Sequence, residues 1–269
     1  MARREPTGAE RIAAAFAAAR KAGRAALIPF VTAGVPTLEA LPDLLGAVAQ
    51  AGADLIEVGL PFSDPLADGP VLQRAATWAL ERGTRVDAVF AALRTVAPHL
   101  PPLVLLTYVN LVLRRGMTEF VQAAQEAGIS GLIVPDLPWA ESDSLRQVAK
   151  RGGLALIPLV APTSTDRHLK DIAGAKGFVY GVSVTGVTGP RQAVDPGVAH
   201  LVARVRAEVA LPVAVGFGIA SPAQARAVGA IADGVIVGSA LMSRILDHPD
   251  SAVSEARHFV AELRRAVEA

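Results

Sequence analysis

The sequence contains no cysteine. That excludes disulfides, a thiolate nucleophile and the cysteine ligands of zinc or iron–sulfur sites, and it agrees with a reducing, cytoplasmic compartment. Aromatic residues are also scarce, 4% of the chain against 52% hydrophobic residues overall. The core must therefore be built from Ala, Val, Leu and Ile, the material of buried parallel sheets covered by helices. Charge of one sign is missing too: 26 basic and 25 acidic side chains leave a net +1. No overall field draws nucleic acid or an anionic membrane, so an anionic ligand would need a local site. No uninterrupted apolar run reaches the roughly 20 residues that cross a bilayer. The apolar residues near the N-terminus are interrupted by Arg11, Arg20, Lys21 and Arg24, unlike a signal peptide. We expect a partner neither in nucleic acid nor in a membrane.

What is present is organised around the stretch from Leu55 to Gly69, LIEVGLPFSDPLADG. An apolar, β-branched run carries one carboxylate, Glu57, in its middle and then breaks into a loop with two more acids and two prolines. An ionised Glu inside a strand covered on both faces costs several kcal/mol unless it is paired or faces a wet cavity. Glu57 is therefore an edge residue, or is satisfied by an Arg or Lys, or is a functional group.

The rest of the chain alternates strand and helix. After a lead-in helix from Gly8 to Ala22 that stops at Gly23, strands are predicted over Ala25–Gly34, the Glu57 stretch, Leu103–Asn110, Gly131–Asp136, Leu154–Val160, Gly177–Ser183, Pro212–Ile219 and Gly234–Ser239. Helices fall between them: one N-capped by Thr37, then Val71–Arg82, Val86–Ala97, Met117–Ala127, Ser142–Arg151, Asp166–Ala173, Pro196–Val209 and Ser221–Val228, with Ser251–Val267 closing the chain. Repeated βα units with no break in composition and no Ser/Gly-rich linker specify α/β, a single (β/α)8 TIM barrel over residues 1–269 with an additional N-terminal helix. A doubly wound open sheet is the competing architecture.

Barrels carry their chemistry at the C-terminal ends of the strands. That rule gathers Glu57, Asp68, Tyr108, Asp136 and Tyr180 at one mouth, with apolar walls from Phe30, Leu72, Leu106, Ile133 and Phe217. The tyrosines could instead be core residues, and Asp136 could cap the next helix. The pairs Gly216-Phe217-Gly218 and Gly238-Ser239 end the seventh and eighth predicted strands, where barrels hold phosphate on backbone N–H groups, and Gly189 lies beyond the sixth. The Gly- and Thr-rich run Val184–Arg191 reads as a mobile lid. No lysine stands at a predicted strand end, and His99, His168, His200, His248 and His258 are unclustered. Schiff-base chemistry and a His-based metal site are disfavoured, leaving acid–base catalysis by a carboxylate on a phosphorylated substrate with a flat apolar part.

Leu55–Gly69 closely resembles the signature of the tryptophan synthase α-subunit family. Pro29–Gly34, Thr107–Asn110, Asp136–Pro138, Gly186–Gly189, Gly216–Ile219 and Gly238-Ser239 resemble its other landmarks in the same order. The resemblance implies cleavage of indole-3-glycerol phosphate to indole and glyceraldehyde 3-phosphate, in tryptophan biosynthesis. It makes Glu57 the general acid–base and Asp68 the second carboxylate, a hydrogen-bond acceptor for the indole N–H. It places Tyr180 and Thr188 against substrate, Tyr108 in the pocket lining, and Gly189, Gly218, Gly238 and Ser239 on the phosphate. It implies no cofactor in this chain and a β-subunit partner that holds pyridoxal phosphate, in an α2β2 assembly, contacted through Pro61, Phe62, Asp64 and the face around Asn110. One departure is Val184, where many members have Arg. Other readings are a stand-alone lyase, a related phosphate-binding barrel such as phosphoribosyl-anthranilate isomerase or indole-glycerol-phosphate synthase, and a non-catalytic activating subunit.

Overall fold

The strands are short and almost entirely buried: β1 (Ala26–Thr32), β2 (Ile56–Gly59), β3 (Leu103–Leu106), β4 (Ile129–Ile133), β5 (Ala155–Leu156), β6 (Leu159–Val160), β7 (Val179–Val182), β8 (Val213–Gly216) and β9 (Gly234–Val237). They come from a computed structural model that describes residues 5–182, 196–216 and 218–268. All pair in parallel, in the order β5-β4-β3-β2-β1-β9-β8-β7-β6.

The two ends of that order are consecutive in the chain. Residues 154–160 were expected to be one strand, but Pro158 has no N–H to give a ladder, and the stretch divides its pairing around it. Its first half pairs with β4, extended by Ile157 N–H to Leu132 O at 2.8 Å; its second pairs with β7, where Tyr180 N–H reaches Pro158 O at 2.9 Å. The fifth strand thus closes the ring by facing one neighbour with each half, and the open-sheet alternative falls.

Around the ring run α1 (Gly8–Lys21), α2 (Leu41–Gln50), α3 (Pro70–Glu81), α4 (Val86–Val96), α5 (Val109–Arg115), α6 (Met117–Glu126), α7 (Asp143–Arg151), α8 (Asp166–Asp171), α9 (Pro196–Glu208), α10 (Pro222–Gly229), α11 (Ser239–Asp247) and α12 (Ala252–Glu268). Chains leave α1 and α6 through Gly23 and Gly128, whose φ of +73° and +81° suit a residue without Cβ. Three expectations need correction. The segment Tyr108–Asn110 is not strand: β3 stops at Leu106 and α5 starts at Val109. Ser239 does not end a strand but opens α11, a helix the pattern did not separate. Thr37 does not cap α2; its hydroxyl accepts Ala40 N–H at 3.3 Å in the turn before it.

Two apolar layers result. One, between strands and helices, holds Leu27, Val31, Ile56, Val58, Leu103, Leu105 and Leu132. The other fills the barrel with the alternate residues Ala26, Ile28, Leu55, Val104, Ile133, Ala155, Ile157, Phe178, Tyr180, Ala214 and Ile236. Helix α1 plugs the N-terminal end of this interior with Ile12, Phe16 and Ala19. A reciprocal capping box, Thr7 with Glu10, fixes where α1 begins.

Candidate active site

Period-two alternation decides where Glu57 points. Its neighbour two residues back, Leu55, belongs to the barrel interior, while Ile56 and Val58 belong to the outer layer, so Glu57 faces inward. In register it lies beside Phe30 of β1 and Val104 of β3. Glu57 is 1% exposed, and neither carboxylate oxygen has a hydrogen-bond partner among the described residues. The edge-strand reading is therefore excluded, and no ion pair holds Glu57 among the described residues. Burial, and then the nearby negative charge of Asp68, push its pKa up to about 8.

Asp68 approaches from the loop after β2 and is half-buried. Burial raises its pKa to about 6, and a hydrogen bond from the Tyr108 side chain pulls in the opposite direction. Tyr180 shares this field: burial, Glu57 and Asp68 all hold its hydroxyl neutral, well above the usual phenol range. That hydroxyl lies over β8 where Gly216 has no side chain, for a Cβ there would stand 2.6 Å from it. So Glu57, Asp68 and Tyr180, distant in sequence, share one electrostatic site.

The walls are apolar. Phe30 is buried, its ring against Gly59 on one side and Gly238 on the other. Ile133 is buried in the interior below. Leu106 and Val182 end their strands half-buried, marking the mouth, and Leu72 on α3 is half-buried against the outer core.

Tyr108 and Asp136 take places the sequence did not foresee. Tyr108, 1% exposed, stands at the N-terminus of α5 and turns onto the acid loop: its hydroxyl accepts Ala67 N–H at 3.2 Å, and its ring stacks on Phe62 at 5.1 Å between centroids. Asp136 does cap a helix, but not the one that follows it. Its Oδ1 accepts Val109 N–H at 2.9 Å, across from the end of β4 to the start of α5. No short-range signal links residues 27 apart.

For an anion the mouth offers backbone. Gly238 caps α11 without a side chain, so the first-turn N–H groups beyond it, beginning at exposed Ser239, are claimed by no capping group. Gly218 stands near the end of β8 with φ +75° and nothing within 4 Å of a Cβ position. Thr188, Gly189 and Phe217, with Ser183, Val184 and the rest of the lid loop, lie outside the described residues. Among the described residues no group of three His, Asp or Glu side chains could hold a metal, and no helix is long and apolar enough to cross a membrane.

A buried carboxylic acid, unpaired among the described residues and close to a second carboxylate, is equipped to exchange protons with a bound substrate. The family model described as tryptophan synthase alpha chain matches residues 16–268. This chain belongs to the tryptophan synthase alpha chain family. Relatives bearing that name include one from Synechococcus elongatus, 49% identical and covering 94% of this chain and 95% of its own, and one from Lactiplantibacillus plantarum, 46% identical and covering 90% and 92%. Among solved structures, Mycobacterium tuberculosis tryptophan synthase superposes with a TM-score of 0.89 at 38% identity, covering 98% of this chain and all of that one. The tryptophan synthase alpha chain of Legionella pneumophila does so with a TM-score of 0.87 at 32%, covering 96% and 97%. The α/β barrel with its plugging helix is thus the family fold, and the chain is an enzyme of tryptophan biosynthesis.

Proposed function

We propose that Glu57 and Asp68 carry out the family's α reaction in this chain, the retro-aldol cleavage of indole-3-glycerol phosphate into indole and glyceraldehyde 3-phosphate. The observation that carries this reading is Glu57: a carboxyl group wholly buried, without a hydrogen-bond partner among the described residues, and with a pKa of about 8. It enters the reaction as an acid. Protonated Glu57 gives its proton to ring carbon C3, and the ring nitrogen takes up the positive charge. The resulting carboxylate removes the proton from the hydroxyl on the adjacent chain carbon. The bond from C3 to that carbon then breaks, its electrons restore the indole ring, and the aldehyde departs. One proton enters and one returns, so Glu57 ends as it began.

Asp68 serves as the anion that accepts the indole N–H and stabilises the charge on the ring. Tyr180 and Phe30 hold the flat ring between them. The phosphate rests on the N–H groups of Gly189, Gly218, Gly238 and Ser239, where a helix N-terminus favours an anion. The chain uses no cofactor of its own. We expect it to act in the cytoplasm as one domain in an α2β2 complex with a β subunit that holds pyridoxal phosphate, met through Pro61, Phe62, Asp64 and the face around Asn110. The test is indole release from indole-3-glycerol phosphate by the purified chain, with Glu57→Gln and Asp68→Asn, with and without a β subunit. Slow turnover that rises with the partner and vanishes in both variants supports the reading. Fast turnover without the partner makes this a stand-alone lyase, and no indole in either condition rejects it.

A further inference from the structure

The loop from Pro61 to Gly69 has to put one carboxylate into the barrel mouth, yet little of it packs. Leu66 at its tip is 90% exposed, and Ser63, Asp64 and Ala67 are exposed as well. Its own hydrogen bonds are short-range: Leu66 N–H to Asp64 O, Asp68 N–H to Pro65 O, and Gln73 Nε2 to Asp68 O, each between 2.9 and 3.0 Å. These set the shape of the turn but not its place over the barrel. The link to the barrel is Tyr108. Its ring stacks on Phe62 near the start of the loop, with planes 22° apart, and its hydroxyl accepts N–H from Ala67, the residue next to Asp68, near the end. One buried side chain holds both ends of the loop.

Tyr108 is itself fixed. It precedes α5, and the first N–H of that helix, Val109, is bonded to Asp136 Oδ1 from the end of β4. A buried hydroxyl with a set donor, a stacked ring and a clamped backbone has little freedom to serve substrate. We propose that Tyr108 is a positioning residue for Asp68, and that Asp136 acts through it by fixing the start of α5. This rests on the reading of Asp68 as the acceptor of the indole N–H, and it replaces the expectation that Tyr108 and Asp136 touch substrate. Misplacing a reacting group by about 1 Å costs on the order of a hundredfold in rate.

The charged and titratable groups around Asp68 are Glu57 on β2, Tyr108 at α5 and Tyr180 on β7, with Asp136 acting on Tyr108 from beyond β4; no cation enters these interactions among the described residues. The Tyr108 hydroxyl is thus the group that favours the charged form of Asp68. Removing it raises the Asp68 pKa, which a purely structural role would not do.

The experiment is indole release by the full-length chain, assayed with its β subunit, in Tyr108→Phe, Asp136→Ala and Asp136→Asn, as a function of pH. Phenylalanine keeps the stack on Phe62 and the core volume. Expected are a kcat about tenfold lower in Tyr108→Phe with KM changed less than twofold, and an acid limb moved to higher pH. Asp136→Ala should lose a similar factor, Asp136→Asn, which keeps the acceptor oxygen, should recover most of it, and the double variant Tyr108→Phe/Asp136→Ala should be no worse than the lower single one. A Tyr108→Phe enzyme with wild-type kcat and an unmoved acid limb overturns the proposal. Asp68→Asn, run alongside, separates the two claims: if it stays active, the reading of Asp68 fails, whatever Tyr108→Phe does.

Discussion

The ring of Phe30 occupies the space that a side chain at position 59 would need: a Cβ on Gly59 would lie 2.5 Å from Phe30 Cζ and 2.8 Å from Cε2. These residues stand at the mouth on adjacent strands, β1 and β2, where Phe30 is also the register neighbour of Glu57. The missing side chain at 59 therefore sets where a wall of the pocket stands relative to the acid. In Gly59→Ala the ring has to shift, and the burial of Phe30 resists that shift. We expect a stability loss of about 1–3 kcal/mol from overpacking, with KM for the phosphorylated substrate raised about tenfold or more. Steady-state kinetics and urea unfolding check both; wild-type KM in Gly59→Ala would show that the ring's position is immaterial.

The order of the two raised carboxyl groups predicts the pH dependence of the reaction. With Asp68 near 6 and Glu57 near 8, the form with Asp68 charged and Glu57 protonated predominates between those values. That is the form the cleavage needs. We expect kcat/KM for indole release to rise through about pH 6 and to fall through about pH 8. A profile flat from pH 5 to 9 would reject Glu57 as the acid.

The sequence showed the carboxylate in the strand, and alternation along β2 was enough to send it inward, because Leu55 and Glu57 share a face and Ile56 and Val58 the other. The repeated βα units gave the barrel. Three things were hidden, each for a physical reason. Tyr108-Val109-Asn110 continues a β-branched and aromatic run, and only the Asp136 carboxylate, brought in by the neighbouring strand, marks Val109 as the start of a helix. Helix α11 follows its strand through one glycine with no polar cap to announce it. The role of Tyr108 over the acid loop is a tertiary contact of residues 41 apart, beyond any local pattern. The division of the fifth strand was missed as well, although Pro158, which has no N–H to give a ladder, stands where it occurs.

Glu57 also makes the fold sensitive to alkali. Its pKa is about 8 in the folded chain against 4.5 when exposed, so the folded state binds the proton more tightly. The stability this represents is fully present below about pH 4.5 and is lost as pH rises through about 8, because above that the buried group has to ionise. Asp68 acts in the same direction but completes its loss near pH 6, which leaves the range above 6 to Glu57. Glu57→Gln cannot ionise. It should therefore gain on wild type as pH rises from 6 to 9, by on the order of 2–4 kcal/mol. Urea unfolding of both proteins at pH 6 and pH 9 measures this; a difference between them that does not change with pH would place Glu57 in a solvated environment.

At the opposite end of the barrel, Asp54 joins three parts of the chain that meet nowhere else in sequence. Its carboxylate takes two bonds from Arg24, at 2.7 and 2.8 Å, one from the β1 backbone at Leu27 N–H, 2.8 Å, and one from Arg264 of α12, 3.2 Å. The Arg24 side chain is only 8% exposed, and its Nε already lacks a partner among the described residues. Removing Asp54 would leave that guanidinium buried with its charge uncompensated, a situation that costs about 3–5 kcal/mol. Conserved chemistry in barrels lies at the other face, so this cluster should matter to stability and not to turnover. Asp54→Ala is expected to unfold at markedly lower urea while keeping near-wild-type kcat at low temperature. Asp54→Asn retains acceptor capacity and should lose less. If Asp54→Ala lowered kcat in folded protein as much as it lowered stability, the cluster would have to be coupled to the mouth, and the separation of the two ends would fail.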